Sequence, residues 1–263
     1  MTIMAWTHIL LRYGEIFLKG KNKPYFVKKL LSNIHAITGK KAQDVRSRFV
    51  MPYFDNHIDL KRVFGLTSYS LSVRVEKDID LIVKQAALLA GSGSFKIATK
   101  RSDKSFPITS PDMNVQVGQY VESHSDATFS FDTPDVIIHI EINQEGAYLF
   151  TDKVPCFGGL PTGVEGKVEL LVENQASLLA GLLFMKRGCT VIPVMKNDVD
   201  ISVLEKYSPG QLVKKEKEEG NLLVSGQTFE TLSEYDEEGT VFRPLIAYSD
   251  ERIKRELERY TTL

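Results

Sequence analysis

The stretch FKIATKRSDKSFPITSPDMNVQVGQY, from Phe95 to Tyr120, determines how the rest of the chain is interpreted. Its first five residues place apolar side chains at alternate positions and predict a short strand. The next five residues, which we expect to form a turn, carry three cations: Lys100, Arg101 and Lys104. Ser110 and Pro111 then predict a helix start, with Ser110 as the N-cap residue. A strand, a cationic turn and a helix N-terminus together predict a phosphate-binding site.

The charge of the chain is divided unevenly along its length. Residues 1–110 hold 19 Lys and Arg against 8 Asp and Glu, whereas residues 111–263 hold 14 against 26. The net charge of −1 hides this division. A lysine-rich polar surface alone would not separate the two signs so cleanly. A basic N-terminal part therefore favours a polyanionic ligand, and nucleic acid is the commonest one.

The composition is that of a globular protein with a core, because 43% of the residues are hydrophobic and 25% are charged. The longest apolar run, residues 176–185, is too short to cross a bilayer, and the first residues lack a signal-peptide pattern. Two cysteines, Cys156 and Cys189, fit a reducing compartment. The five histidines show no ligand spacing, so no metal site is expected. We expect a cytoplasmic protein.

The first 75 residues predict a small α+β domain. An apolar strand from His8 to Leu11 leads through Arg12 into a loop. That loop carries three lysines: Lys19, Lys21 and Lys23. An apolar stripe from Phe26 to Ile37 predicts a helix that Gly39 ends.

The region after this helix predicts further strands and a second α+β unit. Gln43 to Met51 alternates and predicts one half-buried strand, with Arg46 and Arg48 on its basic outer face. Asp78 to Ala90 predicts a short amphipathic helix. Strands are predicted at Val136–Ile142 and Ala147–Thr151, on either side of a hairpin loop.

The third part of the chain predicts a parallel sheet. Lys153 to Lys167 contains two prolines and four glycines and is typical of an ordered crossing between domains. Beyond it, a predicted helix, Gln175–Lys186, joins two predicted strands, Val168–Val172 and Thr190–Val194. Such a strand–helix–strand unit implies parallel pairing. Further strands are predicted at 221–224 and 242–247, followed by a helix over 250–260.

On these residues the chain resembles the tRNA 4-thiouridine synthetase family, also called tRNA sulfurtransferase. KRSDKSFPITSPDMNVQVGQY (100–120) is similar to the signature of that family's THUMP domain, an RNA-binding module. HILLRYGEIFLKGKNKPYF (8–26) is similar to the start of its ferredoxin-like domain. GGLPTGVEGK (158–167) is similar to its linker into the ATP-binding PP-loop domain. The resemblance implies that the first two domains hold the acceptor end of tRNA, and that the protein is a homodimer.

The expected fold class is therefore α+β and α/β, in three domains. A ferredoxin-like domain is expected over 1–75 and a THUMP α/β domain over 76–153. A linker over 154–167 then precedes a shortened, Rossmann-like PP-loop-type domain with a parallel sheet over 168–263.

The resemblance fails at the nucleotide loop. The family's PP-loop reads Ser-Gly-Gly-x-Asp-Ser, and the matching positions here are Val172, Glu173, Asn174, Gln175, Ala176 and Ser177. Only Ser177 agrees, and both glycines that let backbone N–H groups approach a phosphate are absent. Glu173 also places a carboxylate where the polyphosphate would lie, although a Glu near a helix N-terminus can simply stabilise the helix dipole. We therefore expect nucleotide binding to be lost, with no cofactor.

The sulfur chemistry of the family is not expected either. Its persulfide-handling cysteine lies beyond the segment similar to RPLIAYSDERIKREL (243–257), and the sequence ends at Leu263 without it or a rhodanese extension. Nothing in the sequence near Cys156 or Cys189 lowers a thiol pKa. No catalytic residue is therefore assigned.

Three hypotheses about function follow. The favoured one is a tRNA-binding protein without ATP-dependent thiolation, serving as accessory to an enzyme acting in trans or as a competitor for tRNA ends. Its predicted RNA-binding residues are Arg12, Lys19, Lys21, Lys23, Arg46, Arg48, Lys96, Lys100, Arg101, Lys104 and Ser105. The second is an active ATP-dependent tRNA sulfurtransferase with a divergent nucleotide site. The third is a structural partner of another tRNA-modifying enzyme, docking through the acidic third domain.

Aromatic residues among these cations could stack on unpaired bases. The sequence offers Tyr13, Phe26 and Phe106 for this role. Phe26 lies on the apolar stripe of its predicted helix, so core packing is the favoured role for that residue.

Overall fold

The computed structural model describes residues 5–46, 48–215, 222–232 and 240–263. Two 3₁₀ helices lie at Glu15–Asn22 and His57–Arg62. The α-helices of the described chain are α1 (Lys23–Thr38), α2 (Ile79–Ala90), α3 (Ser110–His124), α4 (Gln175–Lys186), α5 (Ser202–Tyr207) and α6 (Asp250–Thr261). None of these helices is long and apolar enough to cross a membrane.

The strands form two sheets. Those of the first are β1 (His8–Tyr13), β2 (Gln43–Asp44), β3 (Phe49–Pro52), β4 (Leu66–Val75), β5 (Ser94–Arg101), β6 (Thr128–Phe129), β7 (Val136–Asn143), β8 (Gly146–Phe150) and β9 (Val154–Pro155). Those of the second are β10 (Lys167–Val172), β11 (Thr190–Met195), β12 (Leu223–Val224) and β13 (Val241–Phe242).

Contacts divide the chain into two compact units. The first unit consists of Met1–Arg12, Ala42–Asp55 and Ser68–Pro155. The second unit consists of Tyr13–Lys41, Asn56–Thr67 and Cys156–Leu263. These units are defined by contact density, and the domain limits expected from the sequence stay a prediction.

The first unit is built on the larger sheet, whose strand order is β2-β3-β1-β4-β8-β7-β5-β6, with β9 paired to β4. Strand β5 pairs parallel with β7, and β7 pairs antiparallel with β8. Phe95 and Ile97 of β5 are buried in one core with α2 and α3. Because side chains alternate along a strand, Lys96, Ala98 and Lys100 point to the other side.

One predicted strand of this unit is in fact a hairpin. Residues 43–51 are split into β2 and β3, which pair antiparallel. The N–H of Val45 donates to the carbonyl of Arg48 at 2.8 Å, and Arg46 adopts a left-handed φ of 39°. The turn lacks the Gly, Pro or Asn residues that would mark it in a sequence, so the alternating pattern runs across it without a break.

The predicted cationic turn also begins later than the sequence suggests. Pairing of β5 with β7 continues through Lys100 and Arg101, so both residues belong to the strand. Thr109, and not Ser110, is the N-cap of α3. Both differences arise because strand pairing and a threonine cap extend the regular elements by one or two residues beyond the local pattern.

The second unit contains the predicted strand–helix–strand, and its parallel pairing is confirmed. Strands β10 and β11 are parallel over their six residues, and α4 joins them. Of the strand predicted over 242–247, Phe242 alone lies in a strand, β13, and residues 244–247 form turns, so that prediction is wrong. The core is closed by an aromatic cluster in which Phe64 stacks on Tyr207 at 5.4 Å and Phe157 stacks on Tyr260 at 4.3 Å.

Candidate nucleic-acid interface

The first unit carries a groove, which we call the cationic groove, beside strand β5. Five cationic side chains and one carboxylate line it: Arg12, Arg48, Lys96, Lys100, Lys153 and Glu141. The groove therefore gathers side chains from β1, β5, β7 and the segments after β2 and β8. An excess of positive charge in a concave surface concentrates anions there.

A buried carboxylate organises the arginine end of the groove. Glu141 accepts from Arg12 Nη2 at 3.1 Å and from Arg48 Nε at 2.8 Å. Arg12 also donates to the hydroxyl of Ser70 at 3.0 Å, and its guanidinium lies 4.8 Å from the ring centre of Phe150. These contacts fix both guanidiniums in position, so the arginines shape the groove as well as charging it.

The pKa values at this end agree with that geometry. Burial alone would raise the pKa of Glu141, but Arg12 and Arg48 outweigh it and hold that pKa below its usual range. Burial lowers the pKa of Arg12, and Glu141 partly offsets the effect. The carboxylate is thus ionised at neutral pH and balances one of the two guanidinium charges.

Two further groups beside these cations, Lys153 and His139, have lowered pKa values. Burial, Arg12, Arg48 and Lys100 lower the pKa of Lys153 below its usual value, against the opposing effect of Glu141. Burial, together with Lys153 and Arg12, lowers the pKa of His139 to about 4. His139 is therefore neutral at pH 7, and its ring stacks on Phe150 at 5.0 Å. Burial is the main cause of both shifts, and the cations that add to them also attract anions.

The turn after β5 is held by its own charged residues. Asp103 accepts from Lys77 at 2.7 Å and from the hydroxyl of Ser105 at 2.6 Å, and these hydrogen bonds keep the pKa of Asp103 far below its usual range. Arg101 donates to the carbonyls of Phe106 and Ile108. Arg101 and Ser105 therefore stabilise the turn, which leaves the exposed Lys100 and Lys104 as its accessible cations.

The N-terminus of α3 offers fewer free donors than the sequence suggested. Pro111 has no N–H, and the N–H of Asp112 donates to the hydroxyl of Thr109 at 3.4 Å. Met113 donates to the carbonyl of Thr109 at 2.9 Å. Lysine side chains, more than backbone N–H groups, are thus the donors left open here.

The remaining predicted cations do not line this groove. Arg46 is exposed and lines a small depression next to it, together with Arg48 and Lys100. Lys19, Lys21 and Lys23 belong to the second unit. There Lys19 pairs with Glu165 at 3.1 Å, and Lys21 is exposed.

The aromatic residues considered for base stacking are buried, so the stacking role is wrong for Tyr13 and Phe106, and the core packing favoured for Phe26 is confirmed. Tyr13, Phe26 and Phe106 are only 3%, 6% and 6% exposed, because each packs into a core. The structure instead exposes Phe131, at 68%, with the ammonium of Lys96 at 3.9 Å from its ring centre. The signal for Phe131 lay in its place just before the turn Asp-Thr-Pro, where a core residue is not expected.

Phe131 borders an apolar pocket that adjoins the cationic groove. Val115, Gly118 and Phe129 line it, and Lys96 and Asn114 line both the pocket and the groove. Phe129 is 46% exposed and packs edge-on against the buried Phe95 at 6.0 Å. An exposed ring beside a cationic groove is the arrangement that proteins use to stack unpaired bases.

In the second unit, the residues that match the nucleotide loop form a self-contained helix cap. Asn174 Oδ1 accepts from the N–H groups of Ala176 at 2.9 Å and Ser177 at 3.3 Å. Ser177 Oγ in turn accepts from the N–H of Asn174 at 3.5 Å, which completes a capping box, and from the N–H of Glu173 at 3.1 Å. The donors that would receive a phosphate are thus already satisfied.

The space beside this cap is also filled. The backbone of Gly226 lies so close that a Cβ there would be 2.5 Å from the nitrogen of Ser177. Glu173 is only 5% exposed, and its Oε2 lies 3.5 Å from the hydroxyl of Ser225. Asn197 donates to its carbonyl at 2.8 Å. In this conformation the loop does not fit a nucleotide phosphate.

Neither cysteine is poised as a nucleophile. Burial raises the pKa of Cys156 to about 12, and burial with Glu165 raises the pKa of Cys189. Within the described ranges, no group of three or more His, Cys, Asp or Glu side chains is arranged to hold a metal ion.

Comparison with known proteins assigns both N-terminal segments. Residues 8–70 match the ThiI ferredoxin-like domain, and residues 81–152 match the THUMP domain. A probable tRNA sulfurtransferase of Moorella thermoacetica is 40% identical over 70% of this chain and 50% of its own length. Another from Mycoplasmopsis synoviae is 33% identical over 87% of this chain and 62% of its own length. The chain thus spans about half to three-fifths of these curated relatives.

Two solved structures share the fold. PH1313 from Pyrococcus horikoshii Ot3 has a TM-score of 0.80 and 27% identity, covering 97% of this chain and 99% of its own. A 4-thiouridine synthetase, solved as an RNA complex with bound ATP, has a TM-score of 0.82 and 23% identity. The match covers 98% of this chain and 86% of the synthetase chain. The chain is a THUMP-domain protein with a ThiI-type ferredoxin-like domain. It is similar to curated proteins named probable tRNA sulfurtransferase.

Replacing Glu141 with Gln tests the organisation of the groove. We expect Glu141→Gln to lower the free energy of unfolding by about 1.5–3 kcal/mol, because two partly buried guanidiniums lose their charged hydrogen-bond partner. Urea denaturation at pH 7 measures this change. The control Glu145→Gln, exposed on the same β7–β8 hairpin, should change stability by less than about 0.5 kcal/mol. Equal losses in the two variants would contradict the assignment.

Proposed function

We propose that this protein binds RNA, and tRNA in particular, through the cationic groove of its first unit. The observation that carries the proposal is that five cations line the groove together with one carboxylate, which is itself paired with two of them. The names of the relatives and the RNA complex of the shared fold support tRNA as the ligand. Phosphate contacts of this kind position a nucleic acid without reading its sequence.

We assign the predicted RNA-binding residues of the first unit two roles. Lys96, Lys100, Lys104 and Lys153 reach the surface of the unit and contact backbone phosphates. Arg12, Arg48, Arg101 and Ser105 hold the groove and its turn through the hydrogen bonds described above. Phe131, with Lys96 over its ring, stacks on an unpaired base next to the phosphate track.

We further propose that ATP-dependent activation is absent in the conformation seen here. The loop of residues 172–177 caps its own helix, and Gly226 lies against that cap. Under this proposal the protein presents tRNA to an enzyme acting in trans or competes for tRNA ends. A homodimer, a catalytic partner and a cytoplasmic location are predictions that rest on the resemblance alone.

The second candidate function is that of an active sulfurtransferase. The names of the relatives and the ATP bound in the structure of the shared fold favour it. It requires the 225–227 backbone to move away from Ser177, and the carboxylate of Glu173 to leave its buried position. A third possibility, docking through the acidic third domain, predicts co-purification with a protein that survives nuclease treatment.

Two exposed lysines, Lys100 in the groove and Lys104 in the turn after β5, test whether this surface binds RNA phosphates. The double variant Lys100→Gln/Lys104→Gln should lower tRNA affinity, and it should reduce the slope of log affinity against log salt by about 0.7–0.9 per lysine. Fluorescence anisotropy over a salt series measures both quantities. Lys84→Gln, an exposed lysine on α2 outside the groove, should leave the slope unchanged. Salt-independent binding by the native protein would refute the proposal.

The exposed ring of Phe131 tests base stacking. Phe131→Ala should weaken binding of a single-stranded RNA by about 1–3 kcal/mol, because a stacked base loses its platform. Phe131→Trp should retain that affinity, and both variants should bind a blunt RNA duplex like the native protein. Competition titrations with the two RNAs give the comparison. An equal loss for the duplex would show that the ring only supports the fold of the groove.

Nucleotide binding separates the two candidate functions. We expect isothermal calorimetry to give no saturable heat with micromolar ATP and Mg²⁺, because the helix N–H groups are already bonded to Asn174. The native protein with bound tRNA should give the same result. Micromolar binding, or adenylation of the tRNA, would establish the sulfurtransferase instead.

A further inference from the structure

We propose that the second unit contains an anion-binding pocket for a phosphate group, separate from the nucleotide loop. We call it the Lys29 pocket. It is a cavity of about 360 Å³ bordered by α1, by the first residues of β10 and β11, and by the loop after α5. This inference uses residues that the proposed function does not.

Helix α1 forms one wall of the pocket. Lys29, Ser32 and Asn33 share one face of this helix, since they are spaced three and four residues apart. Asn33 is 3% exposed and donates to the carbonyl of Thr162 at 3.0 Å. Thr162 donates its hydroxyl to the carbonyl of Met185 at 3.2 Å. These buried bonds hold the wall in place, so the pocket is preformed.

The opposite wall comes from the parallel sheet. Lys167 and Thr190 are paired residues at the amino ends of β10 and β11, so their positions adjoin. A Cβ at Gly163 would lie 2.9 Å from Lys29 Nζ and 3.3 Å from Thr190 Oγ1. The ammonium and the hydroxyl are therefore no more than 6.2 Å apart. A phosphate group between them can accept hydrogen bonds from both.

The charge of the pocket is unbalanced. Within the described part of the chain, the lining includes Lys29 and Lys167 and no carboxylate. Among the residues that the structure describes, neither Lys29 nor Lys167 makes an ion pair, and the hydroxyls of Ser32 and Thr190 make no hydrogen bond. Val191, Ile192 and Leu212 supply apolar surface beside these donors. Ammonium groups facing a partly apolar cavity favour an anion as ligand.

The location distinguishes this pocket from the family's nucleotide loop. Lys167 begins strand β10, and Glu173 follows the carboxyl end of the same strand. Six residues of extended chain span about 20 Å. A phosphate in the Lys29 pocket therefore lies at the other end of the sheet. The phosphate could come from a small molecule or from the backbone of a bound RNA.

The test uses the full chain with inorganic phosphate and pyrophosphate as probes. We expect calorimetry to show saturable binding, and the double variant Lys29→Gln/Lys167→Gln to weaken it at least about tenfold. The matched control is Lys28→Gln, because Lys28 is the exposed neighbour on α1 and does not line the pocket. Thermal unfolding of each variant checks that the fold is intact.

A second experiment, which measures tRNA binding, distinguishes the two sources of the phosphate group. If the pocket holds an RNA phosphate, the double variant should reduce the salt slope of tRNA binding by about 0.7–0.9 per lysine. If it holds a small anion, tRNA binding should be unchanged while phosphate binding is lost. The inference is overturned if neither probe binds saturably and the tRNA slope is unchanged, or if Lys28→Gln has the same effect. The Lys100/Lys104 variant should retain phosphate binding, so failure of the RNA proposal would be seen separately.

Discussion

The arrangement of the first unit depends on one carboxylate between two guanidiniums. Glu141 joins Arg12 and Arg48, which lie 129 and 93 residues away along the chain. Like charges in a partly buried groove would repel one another, and a shared counter-charge removes most of that cost. The contact also ties β1 and the segment before β3 to β7. Residues that match two different domain families thus belong to one sheet and one electrostatic site.

A single physical rule separates the structural polar groups of this chain from those open to a ligand. A donor that already has a partner inside the protein gains little from a ligand. Arg101 already donates to two carbonyls of its turn, and the N–H of Ser177 already donates to Asn174. Lys100 and Lys29 make no hydrogen bond to another described residue, and both face concave surfaces. The sequence alone does not distinguish the bonded groups from the open ones, because all are polar residues near the ends of predicted helices and strands.

The features that the sequence predicts correctly are those that depend on residues close together along the chain. Helix α1 ends at Gly39 with φ of 70°, and the β10–α4–β11 unit is parallel, because apolar spacing and caps are local signals. The hairpin of residues 43–52 and the extension of β5 depend on partners far along the chain. The pairing of Glu141 and the exposure of Phe131 are likewise tertiary properties. The site was therefore predicted as a basic region and not as a groove.

The α4 scaffold is held by packing that does not involve residues 172–177 in nucleotide contacts. The scaffold depends on close apolar packing: a Cβ at Gly181 would lie 2.7 Å from Leu170, and no nucleotide contact is needed for that fit. A glycine loop leaves the first helix N–H groups to be satisfied by phosphate. Asn174 and Ser177 satisfy them permanently, and such a cap is worth about 1 kcal/mol. Opening the loop to a nucleotide would forfeit this cap and expose the carboxylate of Glu173 to a polyphosphate. Under the proposed function, the same residues that stabilise the helix end would therefore oppose nucleotide binding.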